Sequence, residues 1–514
     1  MIRNPIIPGF HPDPSAIRVG DVYYVATSTF DWFPGVEILS SRNLRDWEVA
    51  ARPLDRLSLL DMTGEGPSEG IWAPNLSYHD GLFYLVYTDM KNSLTKAKDL
   101  DNWLITAPDI TGPWSDRIYL NSTGFDPALF HDDDGRKYLI NLEWDFRPDH
   151  NKFGGIVIQE YSPEEKKLVG PVTMIDSPSG IREGSNLYKI DGYYYLMIAE
   201  GGTGFEHSTV ISRSRSIYGP YEDMPGHFLM TTRYNPEHPI QRAGHSSLID
   251  TPDGKWYILF LGSRPIQGCS ILGRECYLEK LERDDKGWFH LESGTVLPRL
   301  EVEEPFPLEE KKERKNYHYT FENGIPEDFF SARTPLGDRC EIIPGSGDLR
   351  LYGRRSLFSG YDVSLLCRRA TDLSYDAVTS LEYESGDYHR SAGLLVMYDN
   401  ENFFFLERTY NEEMGEVLVL ASCCNGVYSE EGMTEYDGRR VYLKASARMN
   451  KIRFFFSRDN GNWTQIGGVK DALALSDERT RLGRFTGTMT GVAVVDLTGG
   501  MRSADFVYFD YSGK

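Results

Sequence analysis

The sequence predicts an all-β protein: a five-bladed β-propeller over residues 1–305, a linker over 306–316, and an antiparallel β-sandwich of jelly-roll or concanavalin type over 317–514. Three observations predict it. Hairpin-like text recurs five times in the N-terminal part. The distal part alternates apolar and polar residues with period two. Aromatic residues make up 13% of the chain, which suits strands and also suits stacking on sugar rings. At 514 residues the chain exceeds what one core supports, so more than one domain is required.

The repeated segments are "DPSAIRVGDVYYV" from Asp13, "APNLSYHDGLFYLVY" from Ala73, "DPALFHDDDGRKYLI" from Asp126, "EGSNLYKIDGYYYLM" from Glu183 and "HSSLIDTPDGKWYIL" from His245. Each is a short apolar strand, a turn with Asp and Gly, and a strand rich in Tyr. The first-strand anchors are Ala16, Leu76, Leu129, Leu187 and Leu248. Their partners Tyr24, Tyr84, Tyr138, Tyr195 and Tyr257 follow at separations of 8, 8, 9, 8 and 9 residues. The period of roughly 50 to 60 residues fits blades with long outer loops. Strand-like echoes follow in "VEILSSRNLRDWEV", "NWLITAPDITGPWSD" and "VISRSRSIYGPYED", whose turns carry Trp47, Trp114 and Tyr221. A β-helix or a sandwich fits this spacing less well.

In a propeller the innermost strand of each blade lines the central channel. The residue three before each anchor therefore recurs at one mouth of it: Asp13, Ala73, Asp126, Gly184 and His245, with Glu183 one residue before its slot. Pro14 and Pro127 follow the two aspartates and are expected to hold them in extended geometry. An aspartate before proline is also an ordinary turn device. The joint recurrence of three acids at or next to one repeat position points instead to chemistry. His245 suits a packed channel residue and a ligand equally.

Two carboxyl groups flanking one bond are the equipment of glycoside hydrolysis, one protonated and one ionised. A third nearby raises the pKa of the acid by repulsion. Acids and a histidine also bind cations, but no second histidine or dense acid run supports a dedicated catalytic metal site.

These residues resemble glycoside hydrolase family 43, in its β-xylosidase branch. The matching text is "NPIIPGFHPDPS", "YYVATSTFDWFPGVEI", "GIWAPNLSY", "GFDPALFHD", "EGSNLYKIDGYYYLMIAEGGT", "GHSSLID" and "LGREC", continued by "LRLYGRRSL" and "GVAVVDLTG". The resemblance implies an inverting propeller enzyme. Asp13 would be the general base, Glu183 the general acid, and Asp126 the group that tunes and orients the acid. Arg274 would bond substrate hydroxyls. Phe30, Trp72, Trp144 and Thr203 would line the sugar pocket, and Met489 would stand where some relatives insert an aromatic from the C-terminal domain. Blade packing would explain Phe30 and Trp72, and a structural ion pair Arg274, without a substrate. Members of that family usually read "EGPH" where this chain has Glu183-Gly184-Ser185-Asn186. The acid is kept, but a rigid proline and a histidine beside it are not. The pocket-bordering segment "GSRPIQGCSILGREC" is also shorter than its counterparts.

The implied reaction is exo-hydrolysis of β-1,4-xylooligosaccharides from the non-reducing end, releasing xylose. α-L-Arabinofuranosidase activity, alone or alongside it, is the alternative. A non-catalytic sugar-binding propeller is the rival from another class, and it would not need Asp13, Asp126 and Glu183 together. No cofactor is required; a structural or activating divalent cation such as calcium would belong beside His245.

The net charge of −22 disfavours nucleic acid and anionic membranes as partners. The six cysteines form no CxxC pair and no zinc spacing, as in a reduced cytoplasmic protein. "MIRNPIIPGF" has no apolar signal core, and no run of about 18 apolar residues occurs. The charged, proline-bearing "LEVEEPFPLEEKKERKNYHYTFENG" marks the domain boundary. Beyond it "AGLLVMYD", "NFFFLERTY", "EVLVLAS", "VYLKASARM" and "KIRFFFSRD" read as strands, with a turn at Asp459-Asn460-Gly461. This module suits packing or oligomerisation, sugar binding, or, as the resemblance implies, a wall closing the pocket. The sequence leaves a homo-oligomer, dimer or tetramer, open.

Overall fold

The computed structural model describes residues 1–177, 180–307, 316–481 and 485–514. Most of the expected linker, residues 308–315, lies outside the described residues. Five antiparallel four-stranded sheets form the propeller. Blade I is Ser15–Val19, Val22–Thr27, Glu37–Ser41 and Glu48–Ala51; blade II is Gly70–His79, Leu82–Asn92, Asp99–Ala107 and Ile118–Asn121. Blade III is Ala128–His131, Lys137–Trp144, Phe153–Ser162 and Lys167–Asp176; blade IV is Arg182–Ile190, Tyr193–Glu200, Ser208–Ser214 and Glu222–Thr231. Blade V is Gln241–Asp250, Trp256–Ser263, Glu275–Arg283 and Phe289–Leu291.

The tyrosine pattern fixes the register. In every blade the repeated tyrosine pairs with the residue after the anchor: Ile17–Tyr24, Ser77–Tyr84, Phe130–Tyr138, Tyr188–Tyr195 and Ile249–Tyr257. The turns explain the spacing. Asp80-Gly81 and Asp191-Gly192 take left-handed φ (50° and 78°, 51° and 72°), the two-residue turn that matches strand twist. Blades III and V carry the longer turns, closed by Asp132 N–H to Arg136 C=O and Thr251 N–H to Lys255 C=O, each at 2.9 Å. Before the outermost strands, Trp47, Trp114 and Tyr221 donate to the carbonyls of Leu44, Ile110 and Ile217. Ile2–Arg3 pairs with Glu301–Val302, joining the two ends of the propeller chain.

The sandwich has two eight-stranded sheets. Their facing sides bury Phe321, Leu394, Leu406, Leu443, Phe454 and Phe509. The second sheet packs its other side on the propeller, where Leu395, Met397, Phe330 and Met489 meet Phe10, Phe30 and Trp32. Its strands therefore bury both faces, which explains unbroken apolar runs such as Phe403-Phe404-Phe405-Leu406. Its edge strand belongs to the propeller: Trp32–Phe33 pairs with Ala332 and Ser331. Buried ion pairs add to this seam. Glu37 of blade I receives Arg369 of the sandwich at 2.6 Å, together with Arg52 at 2.7 Å and His11 at 3.0 Å.

Candidate active site

The channel mouth is built by one backbone device used five times. Asp13, Ala73, Asp126, Gly184 and His245 all take left-handed φ, at 56°, 36°, 56°, 59° and 47°. Strand pairing skips at these points in blades II, IV and V. Such bulges bend a strand and re-aim its side chains. This corrects the expectation that the following prolines hold Asp13 and Asp126 extended. A short polar side chain tolerates the left-handed region better than most. Blade IV has glycine at the slot for a steric reason: a Cβ on Gly184 would lie 3.0 Å from the His245 ring. Its acid stands one residue earlier, at Glu183.

The structure brings Asp13, Asp126, Glu183, His245 and Arg274 together, all buried or nearly so. Asp13 Oδ1 lies 3.1 Å from Arg274 Nη1 and 3.4 Å from His245 Nδ1. Its Oδ2 accepts from Ser28 Oγ at 2.6 Å, and Ser28 Oγ accepts the Ala73 N–H at 2.8 Å. Asp126 Oδ2 accepts the Gly184 N–H at 2.9 Å, which ties it to the residue after Glu183.

These surroundings drive the carboxyl groups apart. Burial alone would raise Asp13, but Arg274, His245 and Ser28 outweigh it and hold the group well below the usual carboxylate range. At Glu183 the balance reverses: burial first, then repulsion from Asp126, outweighs His245 and Arg274 and pushes it up to about 8. Asp126 is also raised, by burial and by Asp13, though less far. Burial alone would lower His245, yet Asp13, Asp126 and Glu183 raise it. Among the described residues, no group of three or more His, Cys, Asp or Glu side chains is arranged to hold a metal ion. The Asp13 oxygen facing His245 is already shared with Arg274.

Aromatic rings wall the mouth. Phe30 lies 6.2 Å from Trp72, Trp72 5.6 Å from Phe125, and Phe125 5.9 Å from Trp144, ring centre to ring centre. The indole N–H groups of Trp72 and Trp144 are fixed on the carbonyls of Ser68 and Lys96. Arg274 sits 5.5 Å from the Phe30 ring centre, and the Lys98 ammonium 5.1 Å from that of Trp144. Thr203 is half-buried, with its carbonyl held by Arg242 Nε at 2.6 Å.

Met489 is not a pocket residue. It opens the strand Met489–Asp496, pairs with Arg369 and Met397, and points into the seam between the domains, fully buried. The sandwich delivers its aromatic four residues earlier. The Phe485 ring lies 6.0 Å from Phe30 and 5.5 Å from Trp72. Phe125, Lys98 and Ser28 are further neighbours that sequence reasoning missed. Phe125 was visible beside Asp126 in "GFDP"; Lys98 stands in an outer loop with no repeat to flag it.

Below the acids the channel holds a cavity of about 110 Å³ lined by all five blades, among them Ser15, Asn75, Leu129, Asn186 and Ser247. Asn186 accepts from Asn75 Nδ2 at 2.7 Å, while Asn75 Oδ1 takes the Leu129 N–H at 3.1 Å. These bonds tie blade IV to blades II and III across the channel.

A propeller with three buried carboxyl groups at one channel mouth, two of them driven apart in pKa, is the equipment of a glycoside hydrolase. The chain belongs to glycosyl hydrolases family 43, whose model matches residues 2–289; that of the beta xylosidase C-terminal concanavalin A-like domain matches residues 318–512. It is 43% identical to xylosidase/arabinosidase 43B of Humicola insolens, over 99% of this chain and 97% of that protein. It is 38% identical to a beta-xylosidase of Bacillus subtilis (strain 168), over the full length of both. The crystal structure of a xylan beta-1,4-xylosidase from Bacillus halodurans C-125 superimposes with a TM-score of 0.97, at 44% identity and complete coverage of both chains.

Proposed function

We propose that this glycoside hydrolase is an inverting, exo-acting β-xylosidase that removes xylose from the non-reducing end of β-1,4-xylooligosaccharides. The observation that carries the reading is the opposed state of two neighbouring acids: Asp13 ionised through Arg274 and His245, Glu183 protonated through burial and Asp126. Asp13 draws a proton from a water as its oxygen attacks the anomeric carbon. The carbon–oxygen bond to the leaving sugar breaks, and Glu183 gives its proton to that oxygen. Attack opposite the leaving group inverts the anomeric centre. Asp13 then returns its proton to solvent and Glu183 regains one.

Arg274 holds Asp13 ionised and presents donors to sugar hydroxyls. Phe30, Trp72 and Phe485 suit the apolar face of a pentose, and Trp144, Lys98 and Thr203 suit the rim. A ring from the sandwich on one side favours an exo-acting pocket. The names of the relatives above support the pentose. "Arabinosidase" in the first, and a non-reducing end alpha-L-arabinofuranosidase of Bacteroides ovatus at 30% identity over 99% of this chain, favour arabinofuranoside cleavage as the second reading. The chemistry needs no cofactor; a divalent cation beside His245 would act on the charge of the site. The six unpaired cysteines suit a reducing compartment, and we place the enzyme in the cytoplasm.

Aryl β-xyloside and aryl α-arabinofuranoside assayed side by side, with a time course on xylotriose, test this reading. Faster xyloside cleavage, with xylose and xylobiose as first products, is expected. Mid-sized fragments from long xylan, or no cleavage of either glycoside, would overturn it.

A further inference from the structure

We propose that Arg242, Asp477 and Tyr398 are positioning residues that seat Phe485, so that one buried interdomain relay sets the fit of the sugar pocket. The inference rests on the reading of the pocket above and adds what governs its sandwich-derived wall.

The backbone around Phe485 is held by four hydrogen bonds. Its N–H donates to Ser68 Oγ at 3.2 Å, and its carbonyl accepts from Arg274 Nη2 at 3.1 Å. Thr486 donates its N–H to the Tyr398 hydroxyl at 3.2 Å and its own hydroxyl to the Tyr398 carbonyl at 3.3 Å. The Tyr398 hydroxyl donates in turn to Asp477 Oδ1, and Arg242 Nη1 donates to Asp477 Oδ2 at 2.7 Å. Through Nε, Arg242 also holds the carbonyl of Thr203. One side chain of blade V therefore grips a pocket loop of the propeller and, through two sandwich residues, the segment that carries Phe485.

Three features mark this as more than packing. Arg242, Asp477 and Tyr398 are all buried. A buried ion pair rarely stabilises more than apolar residues of the same shape, so specifying geometry is its natural use. Arg242 holds a left-handed φ of 59°, three residues before His245 on the same inner strand. A non-glycine residue persists there only when its surroundings over-determine it. Thirdly, the two segments touch backbone to backbone. A Cβ on Gly273 would fall 2.4 Å from the Thr486 carbonyl, and one on Gly487 2.5 Å from that of Leu272. The loop bearing Arg274 and the segment bearing Phe485 thus move as one, and the relay fixes where they sit. Glu478 secures the same loop, accepting from Ser270 N–H at 2.8 Å and Ser270 Oγ at 2.9 Å.

A double-mutant cycle tests the proposal. Tyr398→Phe removes one oxygen and leaves Asp477 paired with Arg242. It should raise KM for the aryl β-xyloside about fivefold, the scale of one hydrogen bond, with a smaller change in kcat. In a Phe485→Ala background the same change should add less than about twofold, because the ring it seats is gone. An equal factor in both backgrounds would overturn the proposal. Asp477→Asn, which keeps an acceptor for Tyr398, should stay closer to wild type than Asp477→Ala. Hydrogen exchange at the Phe485 and Thr486 amides reads the seating without any substrate. Faster exchange in Tyr398→Phe is expected, and unchanged exchange would overturn the relay. Failure of the pocket reading shows separately, as absence of pentoside cleavage by the wild type.

Discussion

Replacing Asp126 with asparagine isolates its charge from its shape. Asparagine Oδ1 can still accept the Gly184 N–H that Asp126 Oδ2 takes at 2.9 Å, so Glu183 keeps its place. What disappears is the negative charge that, after burial, does most to keep Glu183 protonated at a pKa of about 8. A neighbouring like charge raises a carboxyl pKa, so its loss lowers that of Glu183. Lost repulsion of about 2 kcal/mol would cut its protonated fraction at pH 7 about fourfold. The sign follows from the role: an acid catalyst is lost as pH rises through its pKa, so the basic limb of kcat/KM moves down. Turnover of a xylooligosaccharide should fall about fourfold at pH 7 and little at pH 5, where both forms of the enzyme hold the proton. A full pH–rate profile of both enzymes checks it. A basic limb that does not move, or an equal loss at both pH values, would refute the charge argument and leave Asp126 a merely structural residue.

Asp13→Asn should abolish cleavage of every substrate, since water activation is always needed. Glu183→Gln should cost several orders of magnitude on xylobiose and far less on aryl glycosides with activated leaving groups, which need little protonation; steady-state kinetics across leaving groups checks both. Glu37→Ala strands Arg52 and Arg369 at the domain seam and should destabilise the protein by about 3–5 kcal/mol, read by denaturant unfolding. The folded-state Glu37 carboxyl is held well below its ordinary range, since Arg369, Arg52 and His11 outweigh burial. The stability it contributes is therefore complete above an ordinary glutamate pKa of ~4.3 and is lost as pH falls below it. Chelator should leave activity and melting temperature unchanged if the acids act alone, and a drop restored by calcium would place a cation beside His245.

The propeller was legible because its signal is local and repeated. A tyrosine at nearly constant distance from each anchor fixes a hairpin, and five hairpins fix the radial order. Asp13 and Asp126 followed from that register, since a position three residues before the anchor maps to one mouth, and Glu183 lies one residue before its slot. Features without a repeat were not legible. Nothing in Trp32-Phe33, a two-residue strand, announces that it completes a sheet of the other domain. Glu37 and Arg369 stand 332 residues apart, and only folding pairs them. Phe485 was missed for Met489 because strand text draws the eye, while the pocket ring sits in the connection just before the strand. The proline after Asp13 suggested an extended residue, and the bulge at the channel mouth overrode that local preference.

The most direct test is the configuration of the first sugar released. Proton NMR of an aryl β-xyloside digest, followed from the earliest turnover, should show α-xylose ahead of its β anomer, with the two reaching their equilibrium ratio only later by mutarotation. Inversion requires a base acting on water, which is the role assigned to Asp13 beside Arg274 and His245. Early accumulation of β-xylose would mean a retained configuration and a covalent intermediate, and would contradict that assignment.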